Sequence, residues 1–291
     1  MSVATSGGRN PLLLVVTGAQ GMLGRRVVEA ARAGGHEVAG LGRADCDLTS
    51  ASSVRRAVGE HRPDAVINCA AWTDVDGAEE HEEEAQAVNA TGAGVLAASA
   101  CAVGARMVQV STDYVFDGSK RTPWLEDDAV APLGAYGRTK LEGERAVAAA
   151  CADHAIARTA WLFGAGGRNF VDTMLSLGAQ RDAVAVVSDQ VGSPTWTGHL
   201  APALVELAAG TATGIFHLAG GGSCSWHQLC VTTYRHAGLS TRVEETTSAR
   251  FVRPAPRPAY SVLGTRRAES PRLADWREGL ACHLAARAVC A

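Results

Sequence analysis

Tyr136 and Lys140 stand four residues apart in Ala135-Tyr136-Gly137-Arg138-Thr139-Lys140. Of the chain's 27 basic residues only Lys120 and Lys140 are lysine, so arginine has replaced nearly every ordinary surface cation but not this one. With four tyrosines in 291 positions, a Tyr-x-x-x-Lys arises in roughly 0.03 of shuffled chains, which makes the spacing informative. On a helix these positions share a face, which brings an ammonium near a phenol. A free phenol titrates near about 10, and an adjacent cation lowers that by about one to three units, giving an acid or base usable near neutral pH. A compact ammonium also reaches a ribose hydroxyl in a way a planar guanidinium does not. The competing reading of the pair alone is two neighbours on a solvated helix face.

Three further groups point the same way. Thr17-Gly18-Ala19-Gln20-Gly21-Met22-Leu23-Gly24 follows an apolar run, where glycines let the backbone approach a pyrophosphate and the next helix's N-terminus meets its charge. The spacing is GxxGxxG rather than GxGxxG. Beyond the second strand no acidic residue occurs in Gly40-Leu41-Gly42, and Arg43 comes next. An arginine there suits a 2′-phosphate and so NADPH, with NADH the alternative if Asp45 or Asp47 serves the ribose. Asn68-Cys69-Ala70-Ala71 ends the third strand with small side chains that leave room for a dinucleotide, and Asn89 is a second scarce asparagine in a suggestive frame. Val110-Ser111-Thr112-Asp113-Tyr114 ends the fourth, bringing a hydroxyl to the same edge as Tyr136 and Lys140.

The elements needed to hold these groups are legible as alternating strands and helices. Strands are expected at Leu12 to Val16, Glu37 to Leu41, Ala65 to Ile67, Arg106 to Val110 and Ala155 to Leu162. Helices are expected at Met22 to Ala33, Ser52 to Glu60, Glu82 to Ala102 and Tyr136 to Ala150. This rhythm predicts an α/β fold: a doubly wound parallel sheet, Rossmann-like, with a smaller C-terminal domain for substrate. The expected division is residues 11–160 for the dinucleotide and 161–291 mainly for substrate, with segments near 185–215 returning to the sheet. Later elements are helices at Phe170 to Gly178, Leu200 to Ala209, Trp226 to Ala237 and Trp276 to Ala288, and strands at Val184 to Val187 and Gly214 to Leu218. Arg253 to Pro258 reads as a rigid extended segment.

Composition limits the partners. A net charge of −3 and a pI of about 6.3 give no basic field for nucleic acid or an anionic membrane. The apolar runs are too short to span a bilayer, and Met1 to Asn10 is polar, read as a flexible leader without a signal peptide. The expected location is cytoplasmic. Eight scattered cysteines without CxxC spacing read as small buried hydrophobes, and no metal-ligand cluster is evident.

Together these stretches resemble an extended short-chain dehydrogenase/reductase, and within that group the dTDP-4-dehydrorhamnose reductase family. Ser111-Thr112-Asp113-Tyr114-Val115-Phe116 and Asp189-Gln190-Val191-Gly192-Ser193-Pro194-Thr195 carry the resemblance most specifically. Thr17 to Gly24, Asn68 to Asp76, Pro132 to Leu141, Arg158 to Phe163, Asn169-Phe170, Gly214 to Gly220 and Arg257 to Ser261 extend it over nearly the whole chain beyond residue 11.

The resemblance implies reduction of the C4 ketone of a dTDP-linked 4-keto-6-deoxyhexose, with hydride from NADPH. Thr112 would hydrogen-bond the ketone oxygen, Tyr136 would give its proton, and Lys140 would hold the nicotinamide ribose and lower the Tyr136 pKa. The coenzyme residues expected are Gly18, Gln20, Gly21, Met22 and Leu23, then Arg43, Asp47 and Leu48, then Cys69, Ala70 and Ala71, with Tyr136 and Lys140. Substrate contacts are expected from Val75, Thr112, Asp113, Tyr114, Tyr136, Trp161, Asn169 and Arg257. Trp72 and Asp74 vary the family's usual segment and could retune the accepted sugar. Relatives also allow a homodimer. Two rivals remain at this level: a nucleotide-sugar 4-epimerase, which would recycle its coenzyme, and a non-catalytic NADP-binding regulatory subunit. A 4,6-dehydratase is disfavoured because Thr112 is followed by Asp113-Tyr114 rather than Asp-Glu.

Overall fold

The computed structural model describes residues 10–290, so the expected leader lies, up to residue 9, outside the described residues. In chain order the first half contains β1 (Leu13–Thr17), α1 (Met22–Ala33), β2 (Glu37–Leu41), α2 (Ala51–His61), β3 (Ala65–Asn68), α3 (Gly77–Glu80), α4 (Glu82–Gln86), α5 (Ala93–Ala102), β4 (Arg106–Thr112) and α6 (Ala135–Ala150). The second half contains β5 (His154–Thr159), β6 (Leu162–Phe163), α7 (Phe170–Gly178), β7 (Ala183–Val187), β8 (Val191–Gly192), β9 (Thr195–Trp196), α8 (Thr197–Ala209), β10 (Gly214–His217), β11 (Cys224–Ser225), α9 (Trp226–Ala237), β12 (Arg242–Thr246) and α10 (Trp276–Cys290).

Six strands form one parallel sheet in the order β10-β5-β4-β3-β1-β2. Strand side chains alternate between its faces. Leu14 and Val16 therefore join Val27, Leu200, Leu204 and Phe216 under α1 and α8, while Val15 joins Val54, Leu96, Met107 and Val147 under α2, α5 and α6. Both faces are covered, which explains why the strands read as continuous apolar runs. The strand order reverses beside β1, so a crevice opens at the carboxyl ends of β1 and β3, where such sheets take ligands. The smaller pairs β7–β12, β8–β11 and β6–β9 stand apart from this sheet and carry α7 and α9.

Two expected elements are corrected, and one strand is added. The helix over Glu82 to Ala102 is interrupted by a π-helical turn at Ala87–Gly92, which turns Asn89 inward. There the Asn89 amide accepts from Trp72 N at 2.9 Å and donates to the Thr139 hydroxyl at 3.1 Å, so the extra residue in the turn is repaid by tying three elements together. The strand over Ala155 to Leu162 stops at Thr159, because Trp161 takes a left-handed backbone, φ +46°, and directs the chain into β6. β12 was not expected, since Arg-Val-Glu-Glu-Thr is largely exposed and lacks an apolar alternation. Among the described cysteines Cys101 and Cys282 are exposed, contrary to the expectation of burial, while Cys46, Cys151, Cys224 and Cys230 are buried. No helix among the described residues is long and apolar enough to cross a membrane.

Candidate active site

A cleft of about 850 Å³ runs along the carboxyl edge of the sheet from Arg43 past β1, β3 and β4 to Trp161 and Trp226. Its first wall is the turn after β1. Gly18 has φ +65°, and a Cβ on it would lie 2.7 Å from the Ala70 nitrogen, so any side chain would push β3's loop out of place. A Cβ on Gly24 would collide with the Gly18 carbonyl oxygen, which is why α1 starts so close beneath the turn. The resulting surface, backbone amides at a helix N-terminus with no side chain in the way, is a fit for a dinucleotide diphosphate.

Asn68 fastens the floor. Its Oδ1 accepts from Thr17 Oγ1 at 2.6 Å and Ala70 N at 3.1 Å, and its Nδ2 donates to Gln109 Oε1 at 2.8 Å. Buried at the strand tips, it joins β1, β3 and β4 rather than offering its amide to a ligand.

Thr112, at the end of β4, accepts from Tyr114 N at 3.2 Å and donates to Asp113 Oδ1 at 3.1 Å. Asp113 is 1% exposed, and its Oδ2 has no hydrogen-bond partner among the described residues. Burial pushes its carboxyl up to about 6, although the hydroxyls of Ser261 and Thr112 pull it back. An orphaned carboxylate oxygen lining a cleft is a ready acceptor for a hydroxyl.

α6 brings Tyr136 and Lys140 to the same cleft, but their electrostatics differ from the expectation. Burial pushes the Tyr136 phenol up to about 12, countered by the Thr112 hydroxyl beside it, and Lys140 is not among the groups that shift it. The Lys140 ammonium instead donates to the Val110 carbonyl at 2.7 Å, and burial drives it down to about 8 against the opposing charge of Glu144. The corrected reading is a phenol that holds its proton through the neutral range and an ammonium that remains mostly charged at pH 7. Behind them lies a buried ion pair: Glu144 accepts from Arg158 at 2.8 and 2.7 Å and from Ser111 Oγ at 2.6 Å.

The cleft brings together Gly18, Gly21, Met22, Leu23, Arg43, Asp47, Leu48, Cys69, Ala70, Ala71, Val75, Thr112, Asp113, Tyr114, Tyr136, Lys140 and Trp161 from the expected set. Gln20, Asn169 and Arg257 do not line it. The Gln20 side chain lies over Gly42, where an added Cβ would meet its amide nitrogen at 2.7 Å. Asn169 caps α7, accepting from Asp172 N at 2.9 Å and donating to the Gly164 carbonyl at 2.9 Å, so its amide is already used. Arg257 pairs with both oxygens of Asp76, at 2.6 and 2.9 Å, and braces the rim beside Tyr114. Asp74 likewise turns back to cap Gly77 N at 3.0 Å, whereas Trp72 does line the cleft.

Arg43 is 82% exposed and 3.7 Å from Asp47, whose carboxyl is held low chiefly by the Thr49 backbone and hydroxyl. Asp45 is spent accepting from Gly42 N at 2.9 Å. Arg43 is held only by this long pair with Asp47 and is open to solvent, so it can turn to meet an anion. Trp226 and Arg168 are site residues the sequence reading missed. Trp226 stacks on Trp161 with ring centres 3.4 Å apart and planes within 4°; its position in a distant helix gave no cue, since tryptophan there reads equally as core.

The RmlD substrate binding domain model matches residues 12–288. A dTDP-4-dehydrorhamnose reductase of Streptomyces griseus is 48% identical over 276 residues, 91% of each chain. A dTDP-4-keto-6-deoxy-D-glucose reductase of Streptomyces niveus is 44% identical over 252 residues, 86% of this chain and 88% of its own. The crystal structure of dTDP-4-dehydrorhamnose reductase from Bacillus anthracis in complex with NADP superposes with a TM-score of 0.92 at 34% identity, covering 95% of this chain and 99% of that one.

Proposed function

The chain belongs to the RmlD substrate binding domain family, and from that premise we propose that it reduces the C4 ketone of a dTDP-linked 4-keto-6-deoxyhexose with NADPH. The observation that carries this reading is the arrival of Thr112, Tyr136 and Lys140 from two elements in one cleft with the glycine turn. Bound NADPH supplies the hydride. Tyr136, kept protonated by burial, gives its phenolic proton to the C4 oxygen, and the Thr112 hydroxyl hydrogen-bonds that oxygen as charge develops on it. Lys140, its ammonium anchored on the Val110 carbonyl at 2.7 Å, holds the nicotinamide ribose.

In this reading Gly18, Gly21, Met22 and Leu23 hold the coenzyme diphosphate, and Cys69, Ala70 and Ala71 flank its path. Residues 11–160 bind coenzyme, and 161–291 mainly bind nucleotide sugar, apart from α8 and β10, which complete the sheet. Asp113 accepts a sugar hydroxyl, while Val75, Tyr114 and Trp161 wall the sugar. Incubation with NADPH and a panel of dTDP-4-keto sugars, with NMR of each product, tests the reading and identifies the preferred sugar.

Two outcomes follow from the electrostatics. Arg43→Ala should cost about tenfold in kcat/KM with NADPH and leave NADH nearly unchanged, because one exposed charge-assisted contact to a 2′-phosphate is lost; equal loss with both coenzymes counts against the assignment. Asp113 serves as an acceptor while ionised. As pH falls below about 6 its carboxyl gains a proton, and sugar kcat/KM should drop about tenfold per unit. A pH profile of Asp113→Asn should be lower throughout and lack that acid limb.

A further inference from the structure

Three cations line the cleft: Arg43 beyond β2, Lys140 bonded to Val110 O on its floor, and Arg168. Resting on the functional reading above, we propose that Arg168 completes the seat of the coenzyme diphosphate from the far side of the cleft. A diphosphate brings about two negative charges, and a helix N-terminus alone offers roughly half a positive charge against them. Arg43 stands at the adenosine end and Lys140 at the ribose, so Arg168 is the lining cation left for the bridge. It is exposed and has no hydrogen bond or ion pair within the described residues.

The loop that carries it is built against α1. A Cβ on Gly167 would lie 2.8 Å from the Cβ of Met22, the first residue of that helix, so only glycine brings the loop this near. Asn169 fixes the loop from beneath, donating to Gly164 O at 2.9 Å and Gly167 O at 3.2 Å, with its amide nitrogen 3.9 Å from Met22 Sδ. The nearby Arg25 is already engaged, donating to Gln20 O at 2.8 Å. Arg168 thus lines the cleft one residue beyond the point where its loop meets the amide-rich end of α1. Of the sugar-facing residues, Val75 and Tyr114 come from other elements, while Trp161 opens the segment that leads to this loop. The approach of Gly167 to Met22, at the start of α1, is what favours the coenzyme's diphosphate over that of the nucleotide sugar.

Binding titrations separate the two diphosphates without any turnover. Coenzyme fluorescence reads NADPH and NADH, and tryptophan quenching reads dTDP. In Arg168→Ala the Kd for NADPH and for NADH should each rise about tenfold, the weight of one charge-assisted contact at an exposed phosphate, while dTDP binds as in the parent. Arg43→Ala should weaken NADPH alone, and Arg168→Lys should recover most of the loss. Parent-like NADPH binding in Arg168→Ala overturns the proposal, and a loss confined to dTDP overturns it in favour of the sugar diphosphate. A parent protein that binds neither coenzyme removes the functional reading and this inference with it.

Discussion

Tyr136→Phe is expected to lower kcat by about 10²- to 10⁴-fold, the usual contribution of a positioned proton donor. The substitution removes one oxygen and keeps the ring, so the edge-to-face contact with Tyr114, at 5.7 Å and 79°, survives. Lys140 keeps its bond to Val110 O, and coenzyme affinity should stay within about twofold of the parent. The neighbouring phenol is a poor replacement. Tyr114 is the nearest phenol, yet burial and the Asp113 charge raise its pKa further still, and it lies against Arg257 at the rim. Tyr114→Phe should therefore cost far less in kcat. Single-turnover measurement at saturating NADPH and sugar reads the step itself, and near-parent turnover in Tyr136→Phe rejects the assigned donor.

Glu144→Gln should destabilise the fold by about 3–5 kcal/mol. Glu144 and Arg158 are only 3% and 2% exposed, and the Arg158 Nη1 atom has no partner among the described residues, so the guanidinium depends on this one carboxylate. Neutralising Glu144 leaves a buried charge uncompensated. For a chain of 291 residues the loss corresponds to a fall in Tm of roughly 5–8 °C. Replacing both partners, as in Glu144→Gln with Arg158→Met, should restore part of the stability because no charge is then stranded. Glu144 also opposes the downward drift of the Lys140 pKa, so the single variant should shed the lysine proton at lower pH than the parent. Thermal unfolding at pH 7 decides the matter: a change below about 1 kcal/mol in the single variant would mean the pair is solvated.

The sheet and its helices were legible because burial on both faces leaves strands as plain apolar runs, and Gly21 and Gly34 bracket α1. Tyr136 and Lys140 were legible for a simpler reason, since spacing on a helix dictates a shared face. Spacing does not dictate electrostatics: whether the ammonium sits against the phenol or against Val110 O depends on how β4 and α6 pack. Asn169 and Arg257 show the same limit from the other side. Each is polar and close to the site, and each is consumed by a neighbour, Gly164 O and Asp172 N for one and Asp76 for the other. The π turn at Asn89 and the left-handed Trp161 arise from tertiary contacts that no local pattern encodes. Trp226 joins the cleft only because α9 folds back onto the loop after β5.

The central claim is net reduction at C4 with the protein's own phenol as proton source. Its most direct measurement uses NADPH deuterated at the reactive nicotinamide carbon together with a dTDP-4-keto-6-deoxyhexose, followed by mass and NMR analysis of the sugar. One deuterium bonded to C4, with one NADPH consumed per sugar in the parent and almost none in Tyr136→Phe, is the result expected. Sugar that is returned inverted without NADPH consumption, or deuterium found anywhere but C4, would contradict it.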